Sequence, residues 1–245
     1  LLIWIAVFVL QAQMGFGQLT LPSSSPYTQD FNGLAAGLPE GWSVYTGATA
    51  TTLGTSATLV TSATAWNITT GNFRNCASAT GLSGTSSATD QSASTNRALA
   101  VRQTGTIGDP GAGFVLRLAN TEGKTGFNLL FKLQSLDQSS PRNTNWVVSY
   151  AIGAVPNNFI TVTTSPATLT TGGSSFSNTE VSINFGDALD NKNEEVWIRI
   201  ETRTASTGSS NRPTTGIDDI SLSWNSGGPT SPSLSVNPVS LTFGT

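Results

Sequence analysis

Several segments of this sequence alternate apolar and polar residues with a period of two, and this pattern constrains the fold most. In residues 127–133, 146–152 and 196–200 every second side chain is apolar or aromatic, and Gly- or Pro-containing segments separate the runs. A period of two is that of a β-strand with one buried face. No convincing helical pattern lies between the runs, which argues against parallel strands joined by helices. The sequence therefore predicts an all-β sandwich.

Composition excludes several classes of function. Charged residues make up 10% of the chain and the net charge is −3, so neither nucleic acid nor an anionic membrane surface is a predicted partner. Histidine is absent, which removes the Ser-His-Asp and Cys-His nucleophile systems and the commonest metal ligand. Cys76 is the single cysteine, so the chain forms no internal disulfide; we interpret it as a small buried apolar residue, the alternative being a reactive thiol.

The start of the sequence is typical of an export signal. Residues 1–10 form an uncharged apolar run, and Gly15 and Gly17 supply the small residues of a cleavage site. A membrane anchor is the weaker interpretation, because the run is shorter than the roughly 20 residues that cross a bilayer. We predict residues 1–17 to be a signal peptide, no membrane span after its removal, and Gln18 as the mature N-terminus.

Export with cleavage after Gly17 is directly testable. N-terminal sequencing of the protein secreted by a bacterial host should begin at Gln18, because the small-x-small pattern ends there. Retention in the membrane fraction with the leader intact would contradict it.

The remaining sequence divides into one long domain and a short end segment. Residues 18–225 carry the alternating runs, and residues 226–232 are Gly-, Ser- and Pro-rich, as expected of a linker. Residues 233–245 alternate again like the first strand of a new β-module. Within the long domain, we interpret residues 46–64 as exposed strand and loop, and residues 66–96 as a polar loop region.

One carboxylate falls on an apolar face. Counting back by twos from Trp224 through Ile220 places Asp218 on the same face, where an ion is costly unless it is hydrogen-bonded, paired or bound to a metal. Asp219 follows directly, and two adjacent carboxylates repel each other. Oxygen ligands without histidine suit calcium, so the pair predicts a structural Ca²⁺ site. The alternative is that Asp218 caps a turn by accepting backbone N–H groups.

Two motifs together resemble a known group of domains. Tyr27-Thr-Gln-Asp-Phe-Asn-Gly33, followed by Leu38-Pro-Glu-Gly-Trp42, and Gly216-Ile-Asp-Asp-Ile-Ser-Leu222 resemble the jelly-roll domains of secreted Bacteroidetes proteins. These include the cleaved-adhesin and choice-of-anchor types and, more distantly, MAM domains. The resemblance covers roughly residues 19–224 and implies a jelly-roll β-sandwich of two antiparallel sheets. The segment 233–245 resembles the opening of a bacterial Ig-like module.

The resemblance also implies which residues bind calcium. In such domains the first and last strands are neighbours, and an acidic residue of the first joins the Asp-Asp of the last in a structural calcium site. The matching residues here are Asp30, Asp218 and Asp219. Asn32 stands where some relatives carry an acid, which puts full coordination in doubt. The acidic run 187–195 lacks the spacing of a calcium loop and is interpreted as a solvated turn.

A glycan site is predicted on the strand at 196–201. Trp197 is out of phase with its apolar neighbours, so its ring is expected to be exposed, and Arg199 and Arg203 lie close enough to hydrogen-bond the same ligand. The alternative is that a loop or an adjacent module covers the ring.

The predicted function is that of a non-catalytic binding or adhesion module of a larger secreted bacterial protein. An extracellular glycan is the expected partner, or a cell-surface protein. The alternatives are a spacer without a ligand, or the accessory domain of an exported hydrolase. A pair of catalytic carboxylates across a cleft is the least favoured interpretation in a chain with 14 acidic residues.

Overall fold

The computed structural model describes residues 17–226, which form fourteen strands and two short helical segments. The strands are β1 (Tyr27–Gln29), β2 (Trp42–Thr46), β3 (Thr55–Ser56), β4 (Leu59–Thr64), β5 (Asn72–Ala77), β6 (Arg97–Arg102), β7 (Gly113–Leu118), β8 (Lys124–Ser135), β9 (Asn143–Ile152), β10 (Ile160–Thr161), β11 (Leu169–Gly172), β12 (Ser177–Asn184), β13 (Val196–Glu201) and β14 (Thr214–Ser226). The helical segments are a 3-10 turn, Leu34–Ala36, and α1, Ala88–Ala93. The predicted leader before Gly17, most of the linker and the predicted Ig-like segment lie outside the described residues.

The strands form two seven-stranded sheets. Sheet I has the order β12-β8-β14-β6-β5-β4, with β1 also paired to β14; sheet II has the order β10-β9-β13-β7-β2-β3, with β11 also paired to β9. Every pair is antiparallel except β4–β5, which is parallel. From β5 onward the chain passes repeatedly from one sheet to the other, as in a jelly roll. The predicted jelly-roll β-sandwich is therefore confirmed.

The main core lies between the two sheets and is rich in aromatic rings. The ring of Phe73 on β5 meets that of Phe114 on β7 edge-on, with centroids 5.7 Å apart. Phe114 in turn stacks on Trp146 of β9 at 5.6 Å. These contacts link sheet I to sheet II through the centre of the sandwich, and such ring pairs stabilise beyond their buried area.

A second, smaller core covers part of the outer face of sheet I. Trp66 and Leu136 pack there on three alanines and Cys76. The interpretation of residues 66–96 as loop is wrong in part, because β5 and α1 lie within this range. Both faces of β5 are covered, so its sequence does not alternate. Ser87 caps α1 and forms a capping box with Asp90.

Neither helical segment in residues 17–226 has the length and apolar content needed to cross a membrane.

Candidate functional site

A bulge in β14 decides where its two carboxylates point. Pairing between β14 and β8 is continuous to Asp218 and resumes at Ser221, and Asp219 has a φ of 49°. The inserted residue shifts the alternation, so that Ile217 and Ile220 both face the main core. Asp218 points instead to the outer face of sheet I. The prediction that Asp218 shares the apolar face of this strand is therefore wrong, because counting by twos makes no allowance for a bulge.

Asp218 is fully buried and holds a chain segment against the outer face of sheet I. Ser78 Oγ donates to Asp218 Oδ2 at 2.6 Å, and the Asp219 N–H donates to Oδ1 at 2.7 Å. Ser78 Oγ in turn accepts from Gln134 Nε2 at 2.8 Å and from the Thr80 N–H at 3.1 Å. Burial raises the pKa of Asp218 to about 7, although the hydrogen bonds from Ser78 Oγ and the Asp219 N–H act in the opposite direction. The carboxyl group thus has a defined structural role.

Two of the three predicted calcium ligands do come together. The pairing of β1 with β14 makes the first and last strands neighbours, as the resemblance implies. Asp30 and Asp219 line one shallow pocket of about 360 Å³ beside Thr28 and Ser221. Asp219 forms an ion pair with Lys132, whose Nζ lies 2.7 Å from Oδ2. Within residues 17–226 no group of three or more His, Cys, Asp or Glu side chains is placed to hold a metal.

Trp197 is buried, so the prediction of an exposed ring is wrong. Its side chain is 5% exposed and packs against Val115 and Phe159 on the outer face of sheet II. Its indole N–H donates to the Gly153 carbonyl at 2.9 Å, and the Arg117 guanidinium lies 4.7 Å from the ring centroid. The alternative interpretation, in which a loop covers the ring, describes this arrangement.

The two arginines predicted beside Trp197 are equally committed to packing. Arg199 is fully buried, pairs with Glu201 at 2.8 Å, and lies 3.5 Å from the centroid of Phe159. It also donates to two carbonyls of the 49–52 loop, each at 2.7 Å. Arg203 donates to Glu201 at 2.8 Å and is half-buried. The three residues therefore fasten two loops over sheet II, and the expectation that they form an open ligand site is wrong.

Among residues 17–226, the single thiol is buried and several acids are committed to ion pairs. Burial raises the pKa of the Cys76 thiol to about 12, only partly opposed by nearby arginines, so the group is not a nucleophile at neutral pH. Several of the more buried acids are paired with arginine. These pairs are Arg102–Asp137, Arg117–Glu195, Arg199–Glu201 and Arg212–Asp109.

A polar groove lies at the β4 edge of sheet I, and the sequence did not predict it. Its volume is about 440 Å³, and it runs between β4, the 3-10 turn and the end of α1. Hydroxyl and amide groups dominate its lining, and no carboxylate or aromatic ring contributes to it. We call it the edge groove; its polar lining includes Asn32, Thr61, Ser62, Asn75, Ser94, Thr95 and Arg97.

Arg97 forms a rigid floor in the edge groove. Its Nε donates to Asn75 Oδ1 at 2.7 Å and its Nη2 to the Asn75 carbonyl at 3.0 Å. Its Nη1 donates to the carbonyls of Gln91 and Ser94 at 2.9 and 3.1 Å. The Arg97 backbone N–H donates to Asn32 Oδ1 at 2.7 Å, which orients that amide at the rim.

No aromatic ring in residues 17–226 is fully exposed. Each tryptophan and phenylalanine of this range is buried except Phe176, which is half-buried like the three tyrosines. Sugar rings commonly stack on exposed aromatic faces, so recognition in the edge groove would depend on hydrogen bonds. The signal that could have located the groove is the dense Ser, Thr and Asn content of residues 61–62 and 92–96.

Several solved structures are similar to this chain at low sequence identity. A xylan-binding family 22 carbohydrate-binding module of the Paenibacillus barcinonensis xylanase Xyn10C is 10% identical, with a TM-score of 0.44, covering 81% of this chain and 99% of the module. The C-terminal family 22 module of Clostridium thermocellum Xyn10B is 11% identical, with a TM-score of 0.42 and coverage of 81% and 91%.

A third similar structure is the K3 cleaved adhesin domain of Lys-gingipain from Porphyromonas gingivalis w83. It is 13% identical, with a TM-score of 0.38, and the alignment covers 82% of this chain and 99% of that domain. It is of the cleaved-adhesin type that the two sequence motifs resemble. No family model matches the chain, and no curated protein is similar to it.

Proposed function

We propose that this chain is a non-catalytic extracellular module that binds a glycan in the edge groove. The observation that carries the proposal is the groove itself, an open channel lined by hydroxyls and amides around the fixed guanidinium of Arg97. Sugar hydroxyls both donate and accept hydrogen bonds, and such side chains match them in both capacities. The predicted signal peptide supports an extracellular location.

The chemistry of the available groups supports a non-catalytic role. The chain has no histidine, and the single cysteine is buried with a raised pKa. Glycoside hydrolysis requires two carboxyl groups facing each other across the bound sugar. No carboxylate lines the edge groove, so a glycan held there would be bound and released unchanged.

Blocking the edge groove should abolish glycan binding without affecting the fold. Ser92 is exposed on α1 and lines the groove, so Ser92→Trp should weaken binding by about tenfold or more by filling the site. The measurement is a glycan array on the full chain, followed by calorimetry on the best binder. The melting temperature of the Ser92→Trp variant should stay close to that of the wild type, because an exposed helix position contributes little to stability.

The neighbouring position provides the control. Ala93 is exposed on the same helix and does not line the groove, so Ala93→Trp should bind like the wild type. Equal loss of binding in both variants would place the ligand elsewhere. Binding of no glycan at all would leave the spacer interpretation in place of this proposal.

We further propose that Asp30 and Asp219 bind calcium, with Asp218 excluded from the site. In support, both carboxylates line one pocket together with the hydroxyl-bearing Thr28 and Ser221, and calcium favours such oxygen ligands. The fit is incomplete, because Lys132 already neutralises Asp219 and fewer than three carboxylates converge. Backbone carbonyls or water would have to supply the remaining ligands.

Thermal melting with calcium and with chelator tests this proposal. Calcium at a hundredfold excess over Kd should stabilise the wild type by about 2.7 kcal/mol relative to chelator. Asp30→Asn should melt identically in both conditions, because it removes one of the two carboxylates. Asp218→Asn should keep the calcium response, since that side chain faces away from the pocket. A wild type insensitive to chelator would refute the site.

A further inference from the structure

The buried cation beneath the edge groove has no anionic partner in the part of the chain that the structure describes. Arg97 is 6% exposed, and its guanidinium contacts two carbonyls near the end of α1 together with the carbonyl and side-chain oxygen of Asn75. None of the ion pairs among residues 17–226 includes Arg97. Neutral acceptors satisfy hydrogen bonds but do not cancel a charge, so Arg97 contributes a positive potential to the groove.

Two of the other three buried arginines differ from Arg97 in this respect. Arg102 pairs with Asp137 and Arg199 with Glu201, so their charges are balanced inside the protein. Arg74 also lacks a carboxylate partner among the described residues, but it donates to the Thr70 carbonyl and does not line the groove. Arg97 is therefore the buried arginine whose uncompensated charge faces a ligand-sized space.

The groups around Arg97 would accommodate an anion. A guanidinium has five N–H donors, and the hydrogen bonds of Arg97 occupy Nε, both donors of Nη1 and one of Nη2. One Nη2–H is left for a ligand at the floor of the groove. Thr95 stands beside it with a hydroxyl group that can also donate, whereas Ser94 Oγ already donates to the Asn96 carbonyl at 3.1 Å. Asp90, the acid on α1, is engaged in the cap with Ser87 at the other end of the helix. Asp30 accepts from Asn32 Nδ2 at 2.9 Å behind the rim and neither lines the groove nor contacts the Arg97 guanidinium.

From this arrangement we infer that the edge groove selects an acidic glycan, one whose sugar rings carry carboxylates. The inference rests on the proposed function and names its ligand class. The ligand carboxylate accepts from Arg97 Nη2 and from the Thr95 hydroxyl, while the remaining sugar hydroxyls meet Thr61, Ser62 and Asn32. Charge-assisted hydrogen bonds are roughly twice as strong as neutral ones, so the charged form of a glycan should be preferred.

Matched polysaccharides separate charge from shape. Calorimetry on the full chain would compare polygalacturonate and alginate with their methyl esters, which keep the backbone and lose the charge. We expect at least one acid to bind about tenfold more tightly than its ester. Raising the salt concentration should weaken binding of the acid and leave that of the ester unchanged.

Substitution at the rim tests the role of the potential without disturbing Arg97, whose loss would unfold the groove. Thr95 is exposed, so Thr95→Asp should offset the charge of Arg97 and remove the preference for the acid. Thr95→Asn introduces a side chain of the same shape as Asp without its charge, and this variant should retain the preference for the acid. Equal affinity for acid and ester in the wild type overturns this inference, and the proposed function survives if Ser92→Trp abolishes that binding. Binding of no glycan of either kind overturns both.

Discussion

Replacing Trp197 with alanine is expected to destabilise the folded protein by about 3–5 kcal/mol, the range for a large aromatic side chain lost from a core. The indole is 5% exposed and packs against Val115 and Phe159. Its removal also leaves the Gly153 carbonyl without a donor and the Arg117 guanidinium without the ring beneath it. The free energy of unfolding is measured by urea denaturation of the wild type and the variant.

An exposed apolar residue of the 153–161 loop, which covers Trp197, supplies the control. Val155 is 80% exposed, so Val155→Ala should change the free energy of unfolding by no more than about 0.5 kcal/mol. A Trp197→Ala protein as stable as the wild type would mean that the loop does not close over sheet II. Glycan binding, measured on whatever fraction remains folded, should be unchanged, because Trp197 does not line the edge groove.

The strand at 196–201 shows how far alternation predicts a fold. The inward positions, Val196, Ile198 and Ile200, lie in the main core as predicted. The outward positions were expected to meet solvent, and they meet the 49–52 and 153–161 loops instead. Alternation with a period of two predicts which residues share a face of a strand, but it does not predict what packs against that face. Long-range loop contacts, such as Phe159 N–H to the Ala50 carbonyl, leave no local pattern.

The edge groove was missed for a related reason. Its walls come from β4, β5 and the segment after α1, where the sequence is rich in Ser, Thr and Asn and has few apolar residues. Such a composition is typical of loops, and β5 is a strand whose two faces are both covered. Arg97 is the first residue of β6, and nothing in its local sequence distinguishes a residue at the floor of a groove from one on the surface.

The predicted calcium ligands were divided by one inserted residue. The pairing of β1 with β14 brings Asp30 and Asp219 to one pocket, as the resemblance implies. Asp218 is directed to the other side by the bulge, where it binds Ser78. A bulge is set by the tertiary pairing of β14 with both β1 and β8, so the sequence alone could not reveal it.

Raising the pH from about 4 to about 7 is expected to lower the free energy of unfolding through the titration of Asp218. Burial raises the pKa of this group in the folded protein to about 7, from an ordinary value of 3.8. Between these values the folded protein holds a proton that the unfolded chain has released, so unfolding releases a proton and higher pH favours it. At about 1.4 kcal/mol per pH unit, the full effect is about 4 kcal/mol.

Other acids affect stability outside this window. Burial alone would raise the pKa of Asp109, but hydrogen bonds from Arg212 and Ser206 together outweigh it and lower the pKa below its ordinary value. For Asp137, too, burial would raise the pKa, but hydrogen bonds from Ser139, Ser140 and Arg102 lower it. A lowered pKa in the folded state contributes stability that is lost as the pH falls below about 4. The pH range between about 4 and about 7 therefore isolates Asp218.

Asp218→Asn makes the contribution of this one group measurable, because the amide does not titrate. Urea denaturation at a series of pH values should show the wild type losing stability between about pH 4 and about pH 7 relative to the variant. The variant itself is expected to be less stable than the wild type at low pH, since an amide cannot accept from both Ser78 Oγ and the Asp219 N–H as the carboxyl group does. Asp187→Asn, at an exposed position, should reproduce the wild-type profile. Parallel profiles for wild type and Asp218→Asn would show that Asp218 stays ionised throughout, held by its two donors, and that segment 78–80 is fastened to sheet I by a carboxylate at every pH.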